Sequence, residues 1–67
     1  MIVNKFSVVL AERLLKISTV AEATGISRTT LTALYYRRTK SVTLDTMDKL
    51  CKYLHCSVGD IFEFKED

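Results

Sequence analysis

The apolar residues of this chain recur at helical rather than strand spacing. Phe6, Val9, Leu10 and Leu14 follow one another at intervals of three, one and four, which predicts an amphipathic helix from Lys5 to Lys16. Asn4 is placed to accept a hydrogen bond from a free N–H of its first turn. Val8 and Leu15 fall outside the stripe and point to a second buried contact. A short second helix is expected from Ile17 or Ser18 to Thr24, with Val20 and Ala21 inward. Ser18 caps it if it starts there, and Thr19-x-x-Glu22 offers a capping box as the alternative. Gly25 then supplies the left-handed backbone that closes a helix at low steric cost. After Ile26, Ser27 is a fresh cap for a third helix from Arg28 to Tyr36. The stretch 37–42 has no period and reads as a loop. Thr43 caps a fourth helix, with Asp45 in its first turn, where a negative charge suits the helix dipole. Its apolar stripe is Leu44, Met47, Leu50, Cys51 and Leu54. Ser57-x-x-Asp60 opens a brief fifth helix that offers Ile61 and Phe62 to the core. The reading is all-α, five short helices. The ends, Met1-Ile2-Val3 and Phe62-Glu63-Phe64, have strand character and could pair into a small terminal β-ribbon, or Phe64 could serve as a dimer contact.

Composition narrows this to one domain over 1–67, with the paired central helices at about 17–36. A chain of 67 residues that is 48% apolar, 27% charged and free of proline can fold, but only around a compact core. Its two cysteines, Cys51 and Cys56, are too few for a disulfide framework and fit reduced thiols in a cytoplasm. No run approaches the roughly 20 apolar residues that span a bilayer. Ser7, Glu12 and Arg13 interrupt any apolar core behind the N-terminus, so no signal peptide is expected. A soluble cytoplasmic protein with no membrane partner is the expectation. The net charge of +2 decides little, but its distribution does. No acidic residue lies between Glu22 and Asp45, where Arg28, Arg37, Arg38 and Lys40 fall, whereas Asp60, Glu63, Glu66 and Asp67 make the C-terminus acidic. A local basic surface on a nearly neutral chain suits a phosphate backbone, although a solvated face of ordinary charges would look the same.

The stretch from Val20 to Leu34 carries the chemistry. Ala21 is small enough for the third helix to cross the second closely, Ile26 plugs the corner, and Leu31 and Leu34 anchor the third helix. On a wheel of about 100° per residue, Leu31 and Leu34 mark the buried side, with Thr30 and Tyr35 flanking it. Thr29, Thr32, Ala33 and Tyr36 fall opposite, with Arg28 at the leading edge. A merely solvated helix tends to carry Glu and Lys there. Short hydroxyls allow close approach to base edges, an arginine can bond guanine in bidentate fashion, and the methyls of Ala33 and the threonines can meet a thymine methyl.

The chain resembles the Cro/repressor-type (Xre-like) helix-turn-helix family of bacteria and their phages, above all its short single-domain members. Three ordered segments carry the resemblance: Val20-Ala21-Glu22-Ala23-Thr24-Gly25-Ile26-Ser27-Arg28-Thr29-Thr30-Leu31, Ser41-Val42-Thr43-Leu44-Asp45-Thr46-Met47-Asp48-Lys49-Leu50-Cys51, and Cys56-Ser57-Val58-Gly59-Asp60-Ile61-Phe62. It implies a five-helix λ-repressor-like domain whose third helix lies in the DNA major groove. It further implies sequence-specific binding of double-stranded DNA by a transcriptional regulator, most simply a repressor. The implied contacts are Ser18, Ser27, Arg28, Thr29, Thr32, Ala33, Tyr36, Arg37, Arg38 and Lys40. Two departures stand out. Where such proteins often open the second helix with a phosphate-gripping glutamine, this chain reads Lys16-Ile17-Ser18-Thr19, so one of the polar three takes that contact or it is missing. The usual Asn-Gly after the third helix is replaced by Tyr36-Arg37-Arg38-Thr39-Lys40, which shifts backbone contacts towards Arg38 and Lys40.

Other functions find less to stand on. Cys51, His55 and Cys56 do not make four metal ligands at workable spacing, so no metal or cofactor is expected. One histidine, no paired carboxylates and no phosphate-binding glycine loop give no catalytic constellation, so no enzyme is expected. The alternative function is a protein-interaction module of the same fold, an antitoxin or antirepressor, because a fold does not fix a function. A homodimer on a roughly palindromic operator is expected, since one such module covers only a few base pairs. Tyr36 is equally compatible with packing on the fourth helix and with touching phosphate.

Overall fold

A computed structural model describes residues 1–66; Asp67, one of the expected acidic C-terminal group, lies outside them. The elements follow in the order β1 (Ile2–Asn4), α1 (Phe6–Glu12), α2 (Ile17–Thr24), α3 (Arg28–Tyr35), α4 (Leu44–Leu54), α5 (Val58–Ile61) and β2 (Phe62–Phe64). The five helices are present, and the two ends pair as an antiparallel ribbon with Ile2 opposite Phe64, Val3 opposite Glu63 and Asn4 opposite Phe62.

One apolar cluster holds the helices together. Phe6, Val9 and Leu10 of α1 meet Val20 and Ala21 of α2, Ile26 of the turn, and Leu31 and Leu34 of α3. Met47, Leu50 and Leu54 of α4 and Ile61 of α5 close it, with Phe62 partly buried against it. Each fully buried leucine contributes about 1.5–3 kcal/mol relative to exposure, so Leu10, Leu31, Leu34 and Leu50 supply much of a small domain's stability.

The helix ends explain where the periodicity misled. Leu14 was expected in the buried stripe of a helix reaching Lys16. Instead α1 ends at Glu12, Leu14 takes a left-handed φ of 54° and is 91% exposed. The Leu14 N–H donates to the Ala11 carbonyl at 3.1 Å and the Leu15 N–H to the Leu10 carbonyl at 2.9 Å. This is a Schellman closure, which turns the following residue back inward. Leu15 therefore packs against the core in place of Leu14, while Val8 lies 45% exposed and makes no second buried contact. The same closure, again without glycine, ends α3 at Arg37, and α4 ends at left-handed His55, where the His55 and Cys56 N–H groups both donate to the Cys51 carbonyl. Only α2 uses a glycine, Gly25 with φ 77°. A Cβ added there would meet nothing within 4 Å, so conformation alone, not space, demands glycine.

The N-termini follow the expected caps in part. The Ser27 and Thr43 hydroxyls accept from the Thr30 and Thr46 N–H groups, both at 3.1 Å. The Ser57 N–H donates to the Asp60 carboxylate at 2.9 Å, which holds that carboxyl below its ordinary pKa. The caps expected at the start of α2 are not used: Lys16 is the N-cap and no side chain bonds there. Asn4 ends β1 rather than capping from the N-cap position, yet its Oδ1 does accept from the Phe6 N–H at 2.9 Å. Leu44, expected in the α4 stripe, is 87% exposed; the stripe begins at Met47 because the first turn of α4 overhangs the core. Among the described residues no helix is long and apolar enough to cross a membrane.

Candidate nucleic-acid interface

The turn between α2 and α3 is built by backbone and side chain together. The Gly25 N–H donates to the Ala21 carbonyl at 2.9 Å. The Thr24 hydroxyl donates to the Val20 carbonyl at 2.7 Å and accepts from the Ile26 N–H at 3.2 Å, so the N–H groups of Gly25 and Ile26 are both bonded where the chain reverses. Ile26 is buried in the corner, and Leu31 and Leu34 fix the inner side of α3. The outer side of α3 is thereby determined.

On that outer side Arg28, Thr29, Thr32 and Ala33 line one shallow depression together with Arg38, which arrives from the loop beyond α3. The Schellman closure of α3 accounts for Arg38. Its N–H donates to the Ala33 carbonyl at 2.8 Å, which folds the residue back beside the helix. The Arg38 guanidinium lies 5.2 Å from the centre of the Tyr36 ring, and Tyr36 meets Tyr35 edge-on at 4.9 Å. Tyr36 is 59% exposed, while its neighbour Tyr35 packs against the core. Two guanidinium groups thus flank short side chains, and no carboxylate lines the depression among the described residues. An anion with apolar and hydrogen-bonding edges is what such a surface accommodates.

The remaining sequence-predicted residues are placed differently. Ser27 is committed to its cap: besides accepting from the Thr30 N–H, its hydroxyl donates to Thr30 Oγ1 at 2.8 Å. Ser18 is half-buried in the first turn of α2, outside the depression. Arg37, with φ 60°, turns the opposite way from Arg38, and its Nε donates to the Asn4 carbonyl at 3.1 Å. Arg37 and Lys40 line a separate groove between the ribbon and the 37–42 loop, beside Ile2, Val42 and Phe62.

Asn4 is a positioning residue that periodicity did not single out. Its Nδ2 donates to the Leu34 carbonyl at 2.9 Å, so the ribbon holds the C-terminal turn of α3 while Arg37 bonds Asn4 in return. A polar residue directly after the apolar run Met1-Ile2-Val3 is the trace that this tertiary role leaves in the sequence.

The family model for the Cro/C1-type HTH DNA-binding domain matches residues 5–67. The chain belongs to that family. It is therefore a DNA-binding domain with double-stranded DNA as its partner, in a family that is not one of enzymes. A relative from Bacillus subtilis (strain 168), the uncharacterized HTH-type transcriptional regulator YozG, is 33% identical over 66 residues, an alignment covering 98% of this chain and 79% of the relative.

Proposed function

We propose that this protein is a cytoplasmic transcriptional repressor of a bacterium or phage that binds a specific operator as a homodimer, with α3 of each copy in the major groove. The observation that carries this reading is the convergence of Arg28, Thr29, Thr32, Ala33 and Arg38 on one carboxylate-free depression along α3. In that placement Arg28 and Thr32 read base edges, and the methyls of Thr29 and Ala33 meet thymine. Ser18, Tyr36, Arg37, Arg38 and Lys40 hold the flanking phosphates and set the register without reading sequence, while the Ser27 hydroxyl, taken by its cap, fixes the start of α3. The likeness to a protein named as a transcriptional regulator supports a regulatory role. Repression follows most directly, since a small domain seated on an operator blocks access to it.

Selection from a random pool of duplex DNA tests the reading. Two inverted half-sites with centres about 10–10.5 base pairs apart, or a multiple of that, are the expected outcome. A pool that shows no enrichment would overturn sequence-specific recognition. A single asymmetric site would overturn the dimer.

A further inference from the structure

DNA binding does not account for the groove between the ribbon and the 37–42 loop. Its volume is about 690 Å³, against about 370 Å³ for the depression along α3, and it falls within the ~300–1,000 Å³ of small-molecule sites. Phosphate and sugar present little apolar surface, yet Ile2, Val42 and Phe62 line this groove. Val42 and Phe62 pack partly against the core, which fixes their positions, while Ile2 is 62% exposed. The charge around the groove is of one sign. Arg37 and Lys40 border it, and no carboxylate lines it among the described residues. Arg37 is held in place: its backbone is left-handed and its Nε donates to the Asn4 carbonyl at 3.1 Å, which leaves the Nη N–H groups for an acceptor. The Thr39 hydroxyl donates to the Ser41 carbonyl at 2.6 Å and pins the loop on both sides of Lys40. Neither cation takes part in a salt bridge among the described residues. Two such cations beside an apolar lining suit a ligand with one acidic end and one apolar end.

We propose that this groove binds a small amphipathic carboxylate, with its hydrocarbon or aromatic body against Ile2, Val42 and Phe62 and its acidic end between Arg37 and Lys40. The Nη groups of Arg37 donate to the two carboxylate oxygens, and Lys40 adds a point charge. The site stands on the groove alone. Its consequence rests on the reading of Arg37 and Lys40 as phosphate contacts. A carboxylate on those donors and a DNA phosphate exclude one another, so the ligand weakens DNA binding. By linkage, DNA weakens the ligand by the same factor.

The test is titration of the full isotope-labelled chain with octanoate at constant ionic strength, followed by amide chemical shifts, with octanol and acetate as controls. Octanoate should shift the amides of Ile2, Arg37, Val42 and Phe62 saturably, with a Kd in the roughly millimolar range expected of about ten non-hydrogen atoms. Octanol lacks the charge and acetate lacks the apolar body, so each should bind roughly tenfold more weakly or worse. Ile2→Ser and Lys40→Glu should each weaken octanoate by a similar factor, and thermal melts check that both fold. Ile2 has no part in the proposed DNA contacts, so Ile2→Ser should keep wild-type DNA affinity and lose only the response to octanoate. On wild type, saturating octanoate should lower DNA affinity and flatten its salt slope by up to about two units per protomer. Shifts that do not saturate or that centre elsewhere would overturn the site, as would variants that bind octanoate like wild type. Octanol matching octanoate would overturn the role of the cations, and acetate matching it would mark an adventitious ion only. Octanoate that fills the groove yet leaves DNA affinity and slope unchanged keeps the site and removes Arg37 and Lys40 from the phosphate contacts instead.

Discussion

Arg28 is the first residue of α3, and a helix entering the major groove brings its N-terminal residues closest to the base edges. Its guanidinium is exposed and shares a depression with Thr29 and Thr32, which leaves it free to fork onto a guanine. Arg28→Ala should cost about 1–3 kcal/mol on the preferred site and relax the preference at one or two base pairs. Titrations on the selected site and on random DNA check this, since equal losses on both would reduce Arg28 to a backbone contact. Leu14 illustrates the reverse relation between residue and role. Its left-handed backbone costs roughly 1–2 kcal/mol, and at 91% exposure it recovers almost nothing by burial. Asparagine tolerates that conformation better, so Leu14→Asn should stabilise the domain by up to about 1 kcal/mol in urea unfolding. A loss of stability would mean that the Leu14 side chain makes a contact in solution that offsets its strain. Nothing in the sequence marks this residue, because it sits four positions after Leu10, where helical periodicity asks for an apolar side chain.

The helix pair α2–α3 depends on Leu31 more than on any residue of its outer face. Leu31 is fully buried between the two helices, and its backbone N–H closes the first turn of α3 onto the Ser27 carbonyl at 3.1 Å. Leu31→Ala should remove about 2–5 kcal/mol, the cost of lost burial plus the cavity left behind. That is a large fraction of what a domain of this size has in total. DNA binding would fall with it, and a thermal melt separates the two causes: an unchanged midpoint would place Leu31 outside the core. Elements of this kind were legible beforehand because spacing, caps and breaker agree: Ser27 and Thr43 cap, Gly25 stops, and the leucines recur every three or four positions. The starts and stops without such punctuation were not. Helix α2 begins on Lys16 with no side-chain cap, and α1, α3 and α4 end on left-handed Leu14, Arg37 and His55, where the usual signal, glycine, is missing. For the site, the inner and outer sides of α3 followed from Leu31 and Leu34. The parting of Arg37 from Arg38 did not, because it is set by a tertiary bond to Asn4, 33 residues away in sequence.

Across the basic middle of the chain, Arg28, Arg37, Arg38 and Lys40 sort into two groups about α3. Arg28 and Arg38 flank the depression, while Arg37 and Lys40 border the groove beside the ribbon. A duplex laid along α3 has a phosphate chain on either side of its groove, so cations on both flanks of the helix can be engaged at once. Each phosphate neutralised releases condensed counterions and contributes about −0.9 to the slope of log affinity against log salt. Replacing Arg38 and Lys40 together by alanine should flatten that slope by up to about two units per protomer, with Arg38→Ala alone accounting for about one. Affinity for specific and random DNA should fall by similar factors, leaving the preferred sequence unchanged. Stability should move by no more than about 0.5 kcal/mol, because both side chains are exposed and neither takes part in a salt bridge among the described residues. Titrations of wild type, single and double variants at several salt concentrations on both kinds of DNA measure all three quantities. Parallel slopes for wild type and double variant would remove the 37–42 loop from the DNA interface and leave the groove beside the ribbon without a role in binding. A change in slope confined to Arg38→Ala would confine the interface to the depression and leave Lys40 outside it.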